Sequence, residues 1–206
     1  MTPKDKIKFK DTAQTRALAV FSSQNAERRL DSDHYVEGYA ARYEPYVLFE
    51  DEDGPIYERF EPGCFADADM SDVIMQYDHA GKVLARTSNN TLIVEADEHG
   101  LFFAADLGKT EAARSLYDDV EAKMVTKMSW RWKVGDCYYD QESRTIVHRT
   151  VKKIYDVAAV SVPANDDTNI NARAWADGEI AQAARREAEL DERRRKLRLK
   201  LTTTNF

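Results

Sequence analysis

Residues 128–134 read MSWRWKV, an unbroken two-residue alternation. Successive side chains of an extended strand point to opposite faces. Met128, Trp130, Trp132 and Val134 therefore share one side, and Ser129, Arg131 and Lys133 share the other. Two tryptophans on one side ask for a core to cover them, so the strand is anchored on its apolar face and presents a serine on its polar face.

The neighbouring stretches support a mostly β chain. On the N-terminal side, residues 110–124 (TEAARSLYDDVEAKM) carry apolar residues at spacings of three and four: Ala113, Leu116, Val120 and Met124. This is a helix, with Thr110 as its N-cap and Glu111 favourable in the first turn. Further back, TLIVEAD and LFFAADL flank the turn EHG as a hairpin, and SDVIMQYDH (71–79) reads as a strand with Val73, Met75, Tyr77 and His79 on one side. VEGYAARYEPYVLF and IYERFEPGCF are two more extended segments separated by the turn DEDGP. On the C-terminal side, GDCYYDQESR turns the chain into TIVHRTVKKIYDVAAVSVPAN, which Pro163 ends.

The ends differ in texture. Residues 1–34 are polar with no sustained period and read as a mobile N-terminal arm. From about Ala174 the chain is helical and highly charged, with acidic residues ahead of basic ones as the helix dipole favours and a linker around Asp177-Gly178 open to proteolytic attack. Its few large apolar residues mark it as an appendage, giving three parts: arm 1–34, domain 35–173, tail 174–206.

Composition narrows the function. The formal net charge is -7, from 37 acidic and 30 basic residues, which argues against general binding to a phosphate backbone and hence against nucleic acid as partner. No run of about 18 apolar residues is present to span a membrane, and the basic N-terminus lacks the apolar stretch of a secretory signal. Cys64 and Cys137 belong to no CxxC or CxxH pair, so no zinc-ligand spacing exists and both read as buried reduced thiols. No metal or other cofactor is implied.

Serine is a weak nucleophile until a neighbouring base takes its proton, and that base works best when a third group fixes its tautomer. Ser129 sits on a firm strand and His79 at a strand end, ahead of Ala80-Gly81. His99 lies in the EHG turn and His34 in the polar arm, whereas His148 sits within a strand and stays open as a third partner. Asp156 is the most informative acid. By parity it shares an apolar face with Ile154, Ala158, Val160 and Val162, where a carboxylate is costly unless paired. Its partner is then Arg149, a backbone amide, or His79. A β-bulge would change that parity.

The ordered series VEGYAARY, YERFEPGCF, QYDHAGKVLARTSNNTLIVEADEHGLFFAADL, KMSWRW and IYDVAAVSVPANDDT resembles the tailed-phage prohead protease family over about residues 35–171. The resemblance implies a mixed α/β, mostly β fold like that of the herpesvirus maturation proteases, a β-barrel with surrounding helices. It implies Ser129 as nucleophile, His79 as general base and Asp156 as the third catalytic member. It further implies a serine endopeptidase acting in the host cytoplasm, inside the assembling procapsid. Its substrates would be the major capsid protein with its scaffolding region, and the protease itself. A non-enzymatic scaffolding protein built on the same barrel is the alternative. Three positions depart from the family pattern. Ala80 follows the histidine where an acid or amide is common. Arg131 stands where glycine is common, with room either to narrow the substrate groove or to stabilise the oxyanion. Asp156 stands where glutamate is common.

Overall fold

The alternation over 128–134 becomes strand β9 (Lys127–Val134), and its two faces meet different fates. Met128, Trp130, Trp132 and Val134 are fully buried, while Arg131 and Lys133 keep partial exposure. The computed structural model describes residues 13–20, 28–161 and 166–203. In it β9 lies between β1 (Ala13–Val20) and β12 (Val151–Val160), antiparallel to both. Beyond β12 the same sheet continues with β5 (Ile74–Tyr77), parallel to β12, and then β6 (Ala80–Arg86) at the edge.

A second sheet has the spatial order β10 (Cys137–Asp140), β11 (Thr145–His148), β4 (Gly54–Phe60) and β3 (Tyr46–Asp51). A third is built from β2 (Tyr35–Arg42), β8 (Gly100–Asp106) and β7 (Leu92–Ala96), with the expected EHG turn joining the last two. The tryptophans of β9 organise the core. Trp130 and Trp132 stack with centroids 5.0 Å apart, and Phe60 of β4 meets both edge-on at 5.3 and 5.2 Å. Aromatic contacts of this geometry add about 0.5–1.5 kcal/mol each beyond area burial, so the strand bearing Ser129 is tied to the second sheet by its opposite face.

The fold is mixed α/β and mostly strand, but no closed barrel is found among the described residues. The strands form three sheets because β2 runs against β1 and β9 without exchanging ladder hydrogen bonds with either. The polar arm also holds a surprise: residues 13–20, read as part of it, form β1. Pairing with β9 covers an otherwise open sheet edge, a tertiary reward that local composition does not reveal. Residues 1–12 and 21–27 of the arm lie outside the described residues.

Helix α1 (Glu111–Glu121) starts as expected, with the Thr110 hydroxyl accepting from the Ala113 amide at 3.2 Å. It stops a turn short. Lys123 adopts φ 58°, and Met124, expected on the apolar stripe, is 76% exposed. Helix α2 (Asp166–Thr203) begins before residue 174 and runs through Asp177-Gly178, so the expected linker there is continuous helix. It packs against β10 and β3, with Ala176 fully buried and Ile180 against the core, and is exposed from Ala184 to Arg198. The first part of the expected appendage therefore belongs to the packed domain.

Candidate active site

The hairpin between β5 and β6 has a two-residue connection, Asp78-His79, closed by the Tyr77–Ala80 pair. Both residues have positive φ, 47° and 57°, the signature of the hairpin turn whose twist matches the strands. For non-glycine residues this conformation is disfavoured and needs support. The support comes from the end of β12. The Asp78 amide donates to the Ala159 carbonyl at 2.8 Å. The Ser161 amide and hydroxyl donate to the two Asp78 carboxylate oxygens, each at 2.9 Å. On β5 itself, the Gln76 side-chain amide donates to the Gly81 carbonyl at 3.2 Å. His79 is thus held at the sheet by its neighbours and not by its own packing alone.

From that turn the imidazole reaches two strands. Nδ1 lies 2.5 Å from Oδ1 of Asp156 on β12, and Nε2 lies 2.7 Å from Oγ of Ser129 on β9. A carboxylate only accepts, so Nδ1–H donates to Asp156 and Nε2 is left to accept from the Ser129 hydroxyl. The three side chains singled out in the sequence are therefore brought into one hydrogen-bonded chain. Ser129 is 2% exposed and Asp156 fully buried, while the His79 side chain keeps 17% exposure. The group between them opens outward.

Asp156 arrives on this face by a bulge. In the β9–β12 ladder Ile154 pairs with Trp132 and Asp156 with Arg131, so Tyr155 is the extra residue. The strict alternation expected for this segment is broken at that point. Ile154 stays on the tryptophan side, and Asp156 and Ala158 join Ser129 and Arg131 on the other. The expected Arg149 partner is also replaced: Arg149 lies 3.6 Å from Asp136 and over the Tyr138 ring. The cation beside Asp156 is Arg131, with Nη2 2.6 Å from Oδ2. The contact is one of charge, since no hydrogen bond is aligned on Oδ2 among the described residues. Sequence reasoning placed Arg131 beside Ser129 on the strand but missed this partner, and it missed the Asp78–Ser161 pairing altogether. The shared strand face was the available signal for the first; nothing local signals the second.

The remaining candidates lie elsewhere. His148 is fully buried on β11, 2.9 Å from Glu58 Oε1 and stacked on Phe60 at 4.6 Å. His34 meets the Tyr117 ring and His99 the Tyr39 ring. Cys64 and Cys137 are both buried and no disulfide joins them. Burial pushes the Cys64 thiol up to about 12. Among the described residues no three His, Cys, Asp or Glu side chains converge as a metal site requires, and no helix is long and apolar enough to cross a membrane.

A hydroxyl, an imidazole and a carboxylate in this order form the constellation of serine hydrolases, which recurs on unrelated folds and is recognised by geometry. A family model described as caudovirus prohead serine protease matches residues 22–181, which span all three side chains. The chain belongs to that family. No curated protein matches it, and no solved structure does. Membership makes the protein a peptidase of the phage prohead, acting among capsid components within the procapsid.

Proposed function

We propose that the protein is a serine endopeptidase that cleaves the major capsid protein, its scaffolding region and itself during capsid maturation. Ser129 Oγ attacks the scissile carbonyl as His79 Nε2 takes its proton. The imidazolium then gives that proton to the leaving amine, and water repeats the sequence on the acyl-enzyme. Asp156 holds Nδ1–H, so the nitrogen facing Ser129 is the unprotonated one.

What supports this reading is the relay itself: Ser129 Oγ to His79 Nε2 at 2.7 Å and His79 Nδ1 to Asp156 Oδ1 at 2.5 Å, in a chain of the prohead protease family. Membership of a prohead protease family supports capsid and scaffolding proteins as the substrates, and self-processing is proposed with them. The kinship in fold with herpesvirus maturation proteases is part of the same proposal and rests on the family alone. The test is the intact mass of the purified protein followed over time, alone and with unprocessed capsid protein, against Ser129→Ala. Loss of defined fragments in the wild type only supports the reading; identical behaviour of the two proteins removes it.

A further inference from the structure

The carboxylate of Asp156 is fully buried and has two oxygens to satisfy. Oδ1 takes the imidazole N–H. Oδ2 takes no aligned hydrogen bond among the described residues, and its compensation is the charge of Arg131 at 2.6 Å. A buried carboxylate without a counter-charge is strongly disfavoured. Arg131 reaches this position because the Tyr155 bulge sets it opposite Asp156 and strand alternation sets it on the Ser129 face. Its own side chain is 38% exposed, so the cation keeps contact with solvent while neutralising a buried anion.

We propose that Arg131 is a positioning residue that works through Asp156, steering Oδ1 onto His79 and setting the pH range in which His79 acts as base. This rests on the proposed roles of Ser129, His79 and Asp156. Among the described side chains, the polar and charged ones that the ladders set on the face of Asp156 are Ser129 and Arg131 from β9 and the neutral Gln76 from β5, while Asp78, beside His79 in the turn, is engaged by Ser161. With Arg131 present, carboxylate and guanidinium cancel. Without it the pair carries a net negative charge and holds an added proton more tightly, so the neutral imidazole is reached only at higher pH. Lysine supplies the charge without the planar fork and restores the pH range better than the geometry.

An alkyl fluorophosphonate tests this without knowledge of the natural substrate. Ser129 Oγ forms a bond to phosphorus, fluoride leaves, and the hydroxyl proton passes to His79. The rate of mass gain is measured from about pH 5 to 9 for the full chain, its Arg131→Met, Arg131→Lys and Asp156→Asn variants, and Asp156→Asn with Arg131→Met. Arg131→Met is expected to label about 10- to 100-fold more slowly at pH 7, with its half-maximal rate moved to higher pH. Arg131→Lys is expected to keep the wild-type midpoint at reduced rate. In the Asp156→Asn background Arg131→Met is expected to add nothing, as for residues acting through one another. A wild-type midpoint in Arg131→Met, or an undiminished loss in the Asp156→Asn background, overturns the inference. If Arg131→Met loses cooperative melting, Arg131→Gln carries the same two expectations. Labelling of Ser129→Ala at the wild-type rate defeats the proposed nucleophile instead, which separates the two failures.

Discussion

Asp156 stands opposite Arg131 because Tyr155 is bulged out of the β9–β12 register. Residues paired across a ladder share a face. An unbroken register from the Ile154–Trp132 pair would set Asp156 against Trp130, with its carboxylate directed into the aromatic core. One extra residue therefore moves an acid from a place where it is costly to a place where it meets an imidazole and a guanidinium.

Asp156→Asn is expected to fold and to lose up to about 10⁴ in turnover, because an amide can donate to Nδ1 and leave the proton on the nitrogen facing Ser129. Melting and circular dichroism should stay near wild type while proteolysis or fluorophosphonate labelling falls. A fully active Asp156→Asn would show that the carboxylate does not control the tautomer.

Ser129→Ala and His79→Ala are expected to be about equally damaging, on the order of 10⁶ in turnover, since the two act as a unit. The rate of the wild type should rise with pH and then level off, because only the neutral imidazole accepts the proton. A rate independent of pH would be incompatible with a histidine base.

The turn carrying His79 makes its own prediction. Asparagine tolerates the left-handed conformation that Asp78 adopts, whereas a β-branched residue does not. Asp78→Asn should therefore leave stability and activity close to wild type. Asp78→Val should cost about 1–3 kcal/mol of backbone strain and reduce the labelling rate at Ser129 by displacing the imidazole. If Asp78→Val labels as fast as wild type, the Ser161 contacts do not position His79.

Patterns that depend only on neighbours along the chain were legible. The alternation of β9, the hairpin of β7 and β8, and the Thr110 cap of α1 all follow from local spacing. The residues brought together at the site were legible mainly through resemblance, because Ser129, His79 and Asp156 come from three elements far apart in sequence. What stayed hidden was tertiary. The bulge at Tyr155 has no local marker, and it is what reassigns Asp156 from the Ile154 face. Strand β1 forms because β9 offers it an edge, and Ala176 is buried because α2 packs against β10 and β3.

Cys64 offers a test of burial. It is 2% exposed, and desolvation raises its thiol to about 12, so the reactive thiolate is scarce at neutral pH. Iodoacetamide at pH 8 should leave Cys64 unmodified in the folded protein and alkylate it promptly in urea, as read by peptide mass. Rapid alkylation under native conditions would mean that the segment around Pro62-Gly63 opens readily.

The charged C-terminus divides at about Ala184. Before it, Ala176 and Ile180 pack on the domain, and the family match ends near it, at residue 181. Beyond it every described side chain to Arg198 is exposed, so this stretch adds little to the core, and we propose that it recruits the protein into an assembling shell. Proteolysis needs an extended chain, and a docked helical turn at Asp177-Gly178 resists it, whereas an exposed helix end frays. Self-trimming at this end is therefore expected C-terminal to Ala184 in the wild type and absent in Ser129→Ala. A chain ending at residue 184 should melt within about 0.5 kcal/mol of full length and still label at Ser129, yet enter shells poorly. A chain ending at residue 175 loses buried apolar contacts and should be destabilised by about 2–5 kcal/mol. Equal stability of the two truncations would mean that Ala176 and Ile180 contribute nothing to the core. A strong loss of stability in the longer one would place the exposed half of α2 within the folded domain and remove the basis for a recruiting tail.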